Sequence, residues 1–238
     1  MTDLLSYELS DSIATITLDD GKVNVLTPRM LSEVNGALDR AEADGAVVVL
    51  AGRPGVFSAG FDLNILRSGG EESHLMLRAG FELAARVLSF PKPVVIACSG
   101  HAIAMGVFLL LSGDYRIGAA GPYKITANEV AIGVTLPRAA VEICRQRLAP
   151  AHFNRATVIA EVYDPGSAVA AGFLDRVVDA AELAGTAREV AAQLRTLDMS
   201  AYSATKLRAR DTALAAVRTA IDLDYGDSVQ QRLRERVS

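Results

Sequence analysis

Three short segments hold the residue types from which an oxyanion hole and a proton-transfer site could be built: Gly55-Val56-Phe57-Ser58-Ala59-Gly60-Phe61-Asp62, Gly100-His101-Ala102-Ile103-Ala104-Met105-Gly106 and Ala127-Asn128-Glu129. In the first two, small residues follow an apolar run and precede a stretch that reads as a helix. Small side chains let a ligand approach the main chain, and N–H groups at a helix start carry partial positive charge. Two such turns side by side would each give one N–H to the same oxygen and form an oxyanion hole. Glycine and alanine would equally serve tight strand-to-helix turns with no ligand. Glu129, taken from its neighbours alone, is as readily a surface charge as a base. The three segments in this order favour chemistry.

Other chemistries fail on residue type. Gly55 and Gly60 have the spacing of the first two glycines of a phosphate-binding loop, but Phe61 and Asp62 stand where a lysine and a hydroxyl residue are required. Val56 replaces the glycine that a nucleophile elbow needs two residues before Ser58. His74, His101 and His152 are scattered, belong to no paired helical metal motif, and read as surface or loop residues. Glu71-Glu72 reads as a solvated turn.

These segments need a scaffold. Ser12 to Leu18 alternates, with Ala14, Ile16 and Leu18 on one face, as a half-buried strand does. Pro28 suits a first helical turn, and Leu31, Val34, Leu38 and Ala41 share a helical face before Asp44-Gly45 ends it. Ala46 to Leu50 is apolar throughout, as expected of a strand covered on both faces. The pattern repeats: a polar loop around 67–73, a helix bearing Leu77, Phe81, Ala84 and Leu88, and a strand at Val94 to Ala97. A third apolar segment, Ala104 to Leu111, leads to a strand at Asp114 to Ile117. Alternating strand and helix predicts an α/β fold with a mostly parallel sheet, whose C-terminal strand edge collects ligands. After Pro137 the chain turns rich in Ala, Arg and Leu, with helices expected near 138–149, 151–160, 181–196 and 200–222. A soft boundary therefore separates a core over 1–137 from a helical region over 138–238.

Composition narrows the partners. The 238-residue chain is 50 % hydrophobic, enough for a sizeable core, and carries 24 Lys and Arg against 28 Asp and Glu, so nucleic acid is not an expected partner. An anionic ligand would depend on local cations and backbone N–H groups. Cys98 and Cys144 sit among apolar residues and read as reduced thiols. Residues 1–9 lack the pattern of a signal peptide, and Ala102 to Leu111 is too short to span a bilayer, so a cytoplasmic protein with no membrane partner is expected.

Taken in order, Lys22-Val23-Asn24-Val25-Leu26, Phe57-Ser58-Ala59-Gly60-Phe61-Asp62, Lys92-Pro93-Val94-Val95-Ile96-Ala97, Gly100 to Gly106 and Asp114-Tyr115-Arg116-Ile117 resemble the crotonase, or enoyl-CoA hydratase/isomerase, superfamily. The resemblance implies a crotonase-like spiral of ββα turns with a C-terminal helical trimerisation region, assembled as a homotrimer or dimer of trimers. It also implies an acyl-CoA thioester as substrate, with coenzyme A part of that substrate and no separate cofactor. Carried over by position, the oxyanion donors are the N–H groups of Ala59 and Met105, and Met105 stands where the family usually has glycine. Lys22, Val23, Asn24, Gly60, Phe61, Asp62, Gly106 and Phe108 would line the substrate or its CoA. Lys206 or Arg208 would reach the phosphates of a neighbouring subunit's CoA. Asp62 reads better as a turn or helix cap than as a catalytic group.

The carboxylates separate the activities. Family hydratases carry two glutamates, and the position of the first is Phe108 here. The second is Glu129, in an Asn128-Glu129 pair similar to the mitochondrial-type 3,2-enoyl-CoA isomerases. Adding water asks one group to take a proton from water and another to supply one to carbon, whereas moving a double bond needs one base that takes a proton from C2 and returns it to C4. Isomerisation of 3-enoyl-CoA to trans-2-enoyl-CoA in fatty-acid metabolism is the expected activity, with enoyl-CoA hydratase and a non-catalytic acyl-CoA-binding protein as alternatives. The helix of Leu77 and Phe81 is expected to line part of the pocket floor and so to set acyl chain length.

Overall fold

The computed structural model describes residues 3–226. Its first two strands, β1 (Leu5–Ser10) and β2 (Ile13–Leu18), form a hairpin closed by Asp11 and Ser12, both at positive φ (52° and 58°). A two-residue turn of that hand matches the twist of the strands it joins. β1 is mostly polar with little buried surface, which is why its pattern did not announce a strand. After the two-residue β3 (Val25–Leu26), helix α1 (Pro28–Ala43) starts with Thr27, whose side chain accepts the Met30 N–H at 3.1 Å, and buries Leu31, Val34, Leu38 and Ala41 on the expected face.

From there one unit recurs. A long strand is followed by a short strand that leaves the first sheet, and then by a helix. The first unit is β4 (Val47–Gly52), β5 (Gly55–Ser58) and, after β6 (Gly60–Phe61) and α2 (Leu63–Ser68), the helix α3 (Gly70–Ser89). The second is β7 (Val94–Cys98), β8 (Gly100–Ile103) and α4 (Met105–Ser112). The third is β9 (Tyr115–Ala119), β10 (Ile125–Thr126) and α5 (Arg138–Arg145). The long strands β2, β4, β7 and β9 pair in parallel in one sheet, while β5, β8 and β10 pair in parallel in a second. Each repeat thus adds one strand to each sheet, which is a spiral of ββα turns. Gly100 allows the turns to stack closely, since a Cβ there would lie 2.0 Å from the carbonyl of Gly55.

The later chain completes this frame. Helices α6 (Pro150–Thr157) and α7 (Pro165–Ala171) lead to β11 (Arg176–Val178), and then come α8 (Leu183–Leu194) and α9 (Met199–Tyr225). β11 pairs with β9, giving the sheet order β1-β2-β4-β7-β9-β11, so the region after Pro137 is not wholly helical as expected. Three residues are too few to show a period. α8 covers one face of the large sheet through Leu183, Ala187 and Ala191 against Val47, Val49, Val95 and Ala97. The other face contributes Val48, Leu50, Val94 and Ile96 to the main core, which also takes in the buried faces of α1, α3, α4, α5 and α9. Both faces of the central strands are covered, hence their unbroken apolar runs. Residues 227–238 of the expected C-terminal region lie outside the described residues.

Local expectations change at two places. The polar stretch at 67–73 is mostly helical: α2 ends at Ser68, Gly69 breaks the chain at φ 66°, and Glu71 and Glu72 occupy the first turn of α3, where negative charge favours the helix. His74 is buried rather than on the surface, with Nε2 3.0 Å from the Tyr225 carbonyl oxygen. Cys98 and Cys144 are free and buried as expected, and burial pushes the Cys98 thiol up to about 12.

Candidate active site

The turns after β5 and β8 lie against each other. At the first, Gly60 takes φ 90°, and a Cβ there would lie 2.9 Å from Ile103 O and 3.1 Å from Met105 N. Only glycine combines that backbone conformation with that closeness, and its missing side chain leaves the Met105 N–H uncovered. At the second turn Ala104 sits at φ 51° and caps α4 without a side-chain hydrogen bond. Met105 is the first residue of α4, so its N–H has no acceptor within the helix and points out of the positive end. The Met105 side chain is fully buried. Gly106 serves packing, since a Cβ there would meet Ser58 O at 2.4 Å.

The first expected donor, Ala59, is already engaged. The N–H of Ala59 donates to Val23 O at 3.0 Å, and a peptide N–H has one hydrogen to give. Gly60 N–H is likewise engaged, donating to Ser58 Oγ at 3.1 Å, while that hydroxyl donates to Asn24 O at 2.7 Å. The next residue of this turn, Phe61, lines the adjoining cavity.

Within the segment Lys22-Val23-Asn24, Asn24 resolves differently. Asn24 is fully buried at φ 53°, and its Nδ2 donates to Leu18 O at 3.0 Å and Phe57 O at 3.1 Å. It fastens the loop after β2 to the end of β5 and is closed to a nucleotide. Lys22 and Val23 are exposed beside it. Asp62 is the expected cap, with Oδ1 accepting from Asn64 N at 2.8 Å and Ile65 N at 3.3 Å at the start of α2.

Glu129 follows β10 at the head of a single 3-10 turn, Val130–Ile132. It is 8 % exposed, and among the described residues its Oε2 is buried without a hydrogen-bond partner. Burial pushes its carboxyl up to about 7, opposed only by a hydrogen bond from its own backbone N–H. The group borders a cavity of about 250 Å³ that also meets Ala59, Phe61 and Ala104 from the two turns, Leu77 and Phe81 from α3, and Tyr225 from the end of α9. Among the described residues lining this cavity, Glu129 is the one carboxylate. An isolated carboxylate that titrates near neutrality, beside backbone donors, is suited to taking up and returning a proton.

Phe108 holds the place expected for a second carboxylate. It is 1 % exposed and stacks behind Phe81 at 6.1 Å between centroids, so it backs the cavity wall instead of lining it as expected. Lys206 is overturned as a phosphate contact: it is 7 % exposed, with Nζ 2.9 Å from Asp114 Oδ2 and 3.3 Å from Val87 O. Arg208 lies exposed on α9. Tyr225 escaped sequence reading because it belongs to a distant helix and no local pattern marks it.

The described helices include none long and apolar enough to cross a membrane. A family model described as enoyl-CoA hydratase/isomerase matches residues 8–230. A Mycobacterium tuberculosis protein, described in one crystal structure as an enoyl-CoA isomerase and in another as a probable enoyl-CoA hydratase, is 49 % and 48 % identical with TM-scores of 0.90 and 0.92. Those superpositions cover 93 % and 99 % of this chain and 97 % and 99 % of the other. The human mitochondrial enoyl-CoA delta isomerase 1 is 28 % identical over 97 % of this chain and 81 % of its own length. A probable enoyl-CoA hydratase of Bacillus subtilis is 33 % identical over 55 % of this chain, which spans 52 % of that protein.

Proposed function

The chain belongs to the enoyl-CoA hydratase/isomerase family, and on that premise we propose that it isomerises 3-enoyl-CoA to trans-2-enoyl-CoA with Glu129 as its single proton carrier. The observation that carries this reading is the isolation of Glu129 as the one carboxylate among the described residues of the cavity wall. The thioester oxygen accepts from Met105 N–H and from Phe61 N–H, the donor we assign to the first turn because those of Ala59 and Gly60 are already engaged. Glu129 removes a proton from C2, and the electron pair delocalises onto the thioester oxygen as an enolate. The carboxylic acid then gives the same proton to C4, which leaves the double bond between C2 and C3. Each backbone donor contributes on the order of 3 kcal/mol to stabilising the enolate.

Hydration would require a second group to handle water's proton. The Tyr225 phenol is pushed up by burial and stays neutral, and Phe108 offers no hydrogen bond. Incubation with a 3-enoyl-CoA, following absorbance of the conjugated thioester, tests the proposal. Conversion in the native enzyme and its loss in Glu129→Gln is the expected result. Water addition to a 2-enoyl-CoA without double-bond migration would replace the isomerase with a hydratase. Tight binding with no turnover of either substrate would leave an acyl-CoA-binding protein.

A further inference from the structure

We propose that Tyr225 sets the length of acyl chain that this cavity accepts; the proposal rests on the acyl-CoA reading of the site. Four aromatic rings meet beside the cavity. Phe81 contacts Phe61 edge-on at 6.2 Å, Phe108 at 6.1 Å, and Tyr225 nearly face to face at 5.8 Å and 11°. Three of these rings are fixed by the core or the oxyanion turn. Phe81 and Phe108 are each 1 % exposed, and Phe61 lies over Gly80 of α3, where a Cβ would come within 2.4 Å of its ring.

Tyr225 differs in origin, as the one described lining residue contributed by α9. Its backbone is held in place from two other helices. Its carbonyl oxygen lies 3.0 Å from His74 Nε2, and the preceding residue, Asp224, accepts the Arg138 N–H at 2.8 Å and pairs with the Arg138 guanidinium. The ring is therefore a fixed part of the wall formed by α3 and α9. At about 250 Å³ the cavity is smaller than the roughly 300–1,000 Å³ of ordinary small-molecule sites, so it has room for the thioester and a short chain. On this proposal a longer chain meets the phenol ring, which is part of the cavity wall.

Titration calorimetry with saturated acyl-CoAs from butanoyl to decanoyl tests this without requiring turnover. In the native protein, affinity should stop rising after a short chain. In Tyr225→Ala it should continue to rise, by roughly fourfold for each further methylene buried. The decanoyl-to-butanoyl affinity ratio should then increase at least tenfold, while Tyr225→Phe keeps the native break point. Tyr225→Leu, which retains an apolar contact on Phe81 but not the far half of the ring, should give an intermediate ratio and decides the matter if the alanine variant does not fold. An unchanged break point in the folded variants, or an uninterrupted rise in the native protein, would overturn the role of Tyr225. Failure of every acyl-CoA to bind would instead overturn the acyl-CoA reading.

Discussion

Two carboxylates sit in the interior of this protein in opposite settings. Asp114, between α4 and β9, has every oxygen occupied: Oδ2 accepts Val94 N–H at 2.7 Å and Lys206 Nζ at 2.9 Å, and Oδ1 meets Arg210 Nη2 at 2.8 Å. Among the described residues Glu129 pairs with no cation, and one of its oxygens has no hydrogen-bond partner. Burial is similar, at 12 % side-chain exposure for Asp114 and 8 % residue exposure for Glu129. Partnership therefore decides what each can do. A compensated carboxylate holds α9 against the sheet edge, whereas an uncompensated one pays for desolvation by binding its proton more tightly, which suits it to proton exchange with a substrate.

The largest expected effect separates the two on activity. Glu129→Gln should lower isomerase kcat by on the order of 10³-fold, the contribution typical of a positioned base. Because the base must be ionised, native kcat/KM should fall about tenfold per pH unit below about 7. A profile flat down to pH 5 would remove Glu129 from the role.

Asp114→Ala should act on stability, costing about 3–5 kcal/mol in urea denaturation because it leaves Lys206 and Arg210 buried without their carboxylate. A loss below about 1 kcal/mol would mean that those cations find solvent without it.

The pH dependence of stability sharpens the contrast further. Between 4.5 and about 7 the folded protein keeps a proton on Glu129 that the unfolded chain has released, so the unfolded state binds fewer protons and stability falls as pH rises through that window. Glu129→Gln removes the dependence. Relative to the native protein it should gain about 3 kcal/mol between pH 4.5 and pH 8, measured by urea unfolding at both values.

The smallest effect belongs to Lys206→Met. Burial already holds this ammonium down to about 8 against the pull of Asp114, and Arg210 and the Val94 N–H remain to satisfy the carboxylate. A change of under about 1.5 kcal/mol is expected. A loss as large as that of Asp114→Ala would make Lys206 the principal partner.

Legibility followed the range of the interactions. The runs at 46–50 and 94–97 and the apolar face of α1 were plain because each element's burial is written in its own period. β1 and β11 were not, since both are short or polar and take their structure from a neighbouring strand. At the site, the small residues of the two turns and Glu129 were legible because the family's motifs are local. The engagement of the Ala59 N–H by Val23 O, which local spacing does not register, was not legible. Lys206 looked like a surface cation until the return of α9 placed it over Asp114.

By itself, then, the sequence determined the α/β repeat, the pair of backbone turns and the lone glutamate, all of which depend on residue type and on neighbours a few positions away. Only the tertiary structure decided that the Ala59 and Gly60 N–H groups are already engaged, that Phe108 stands behind Phe81, and that Tyr225 from the end of α9 lines the same cavity as Glu129. Hydrogen-bond satisfaction and burial belong to pairs of distant segments, and the desolvation that raises the Glu129 carboxyl exists only once those segments have met.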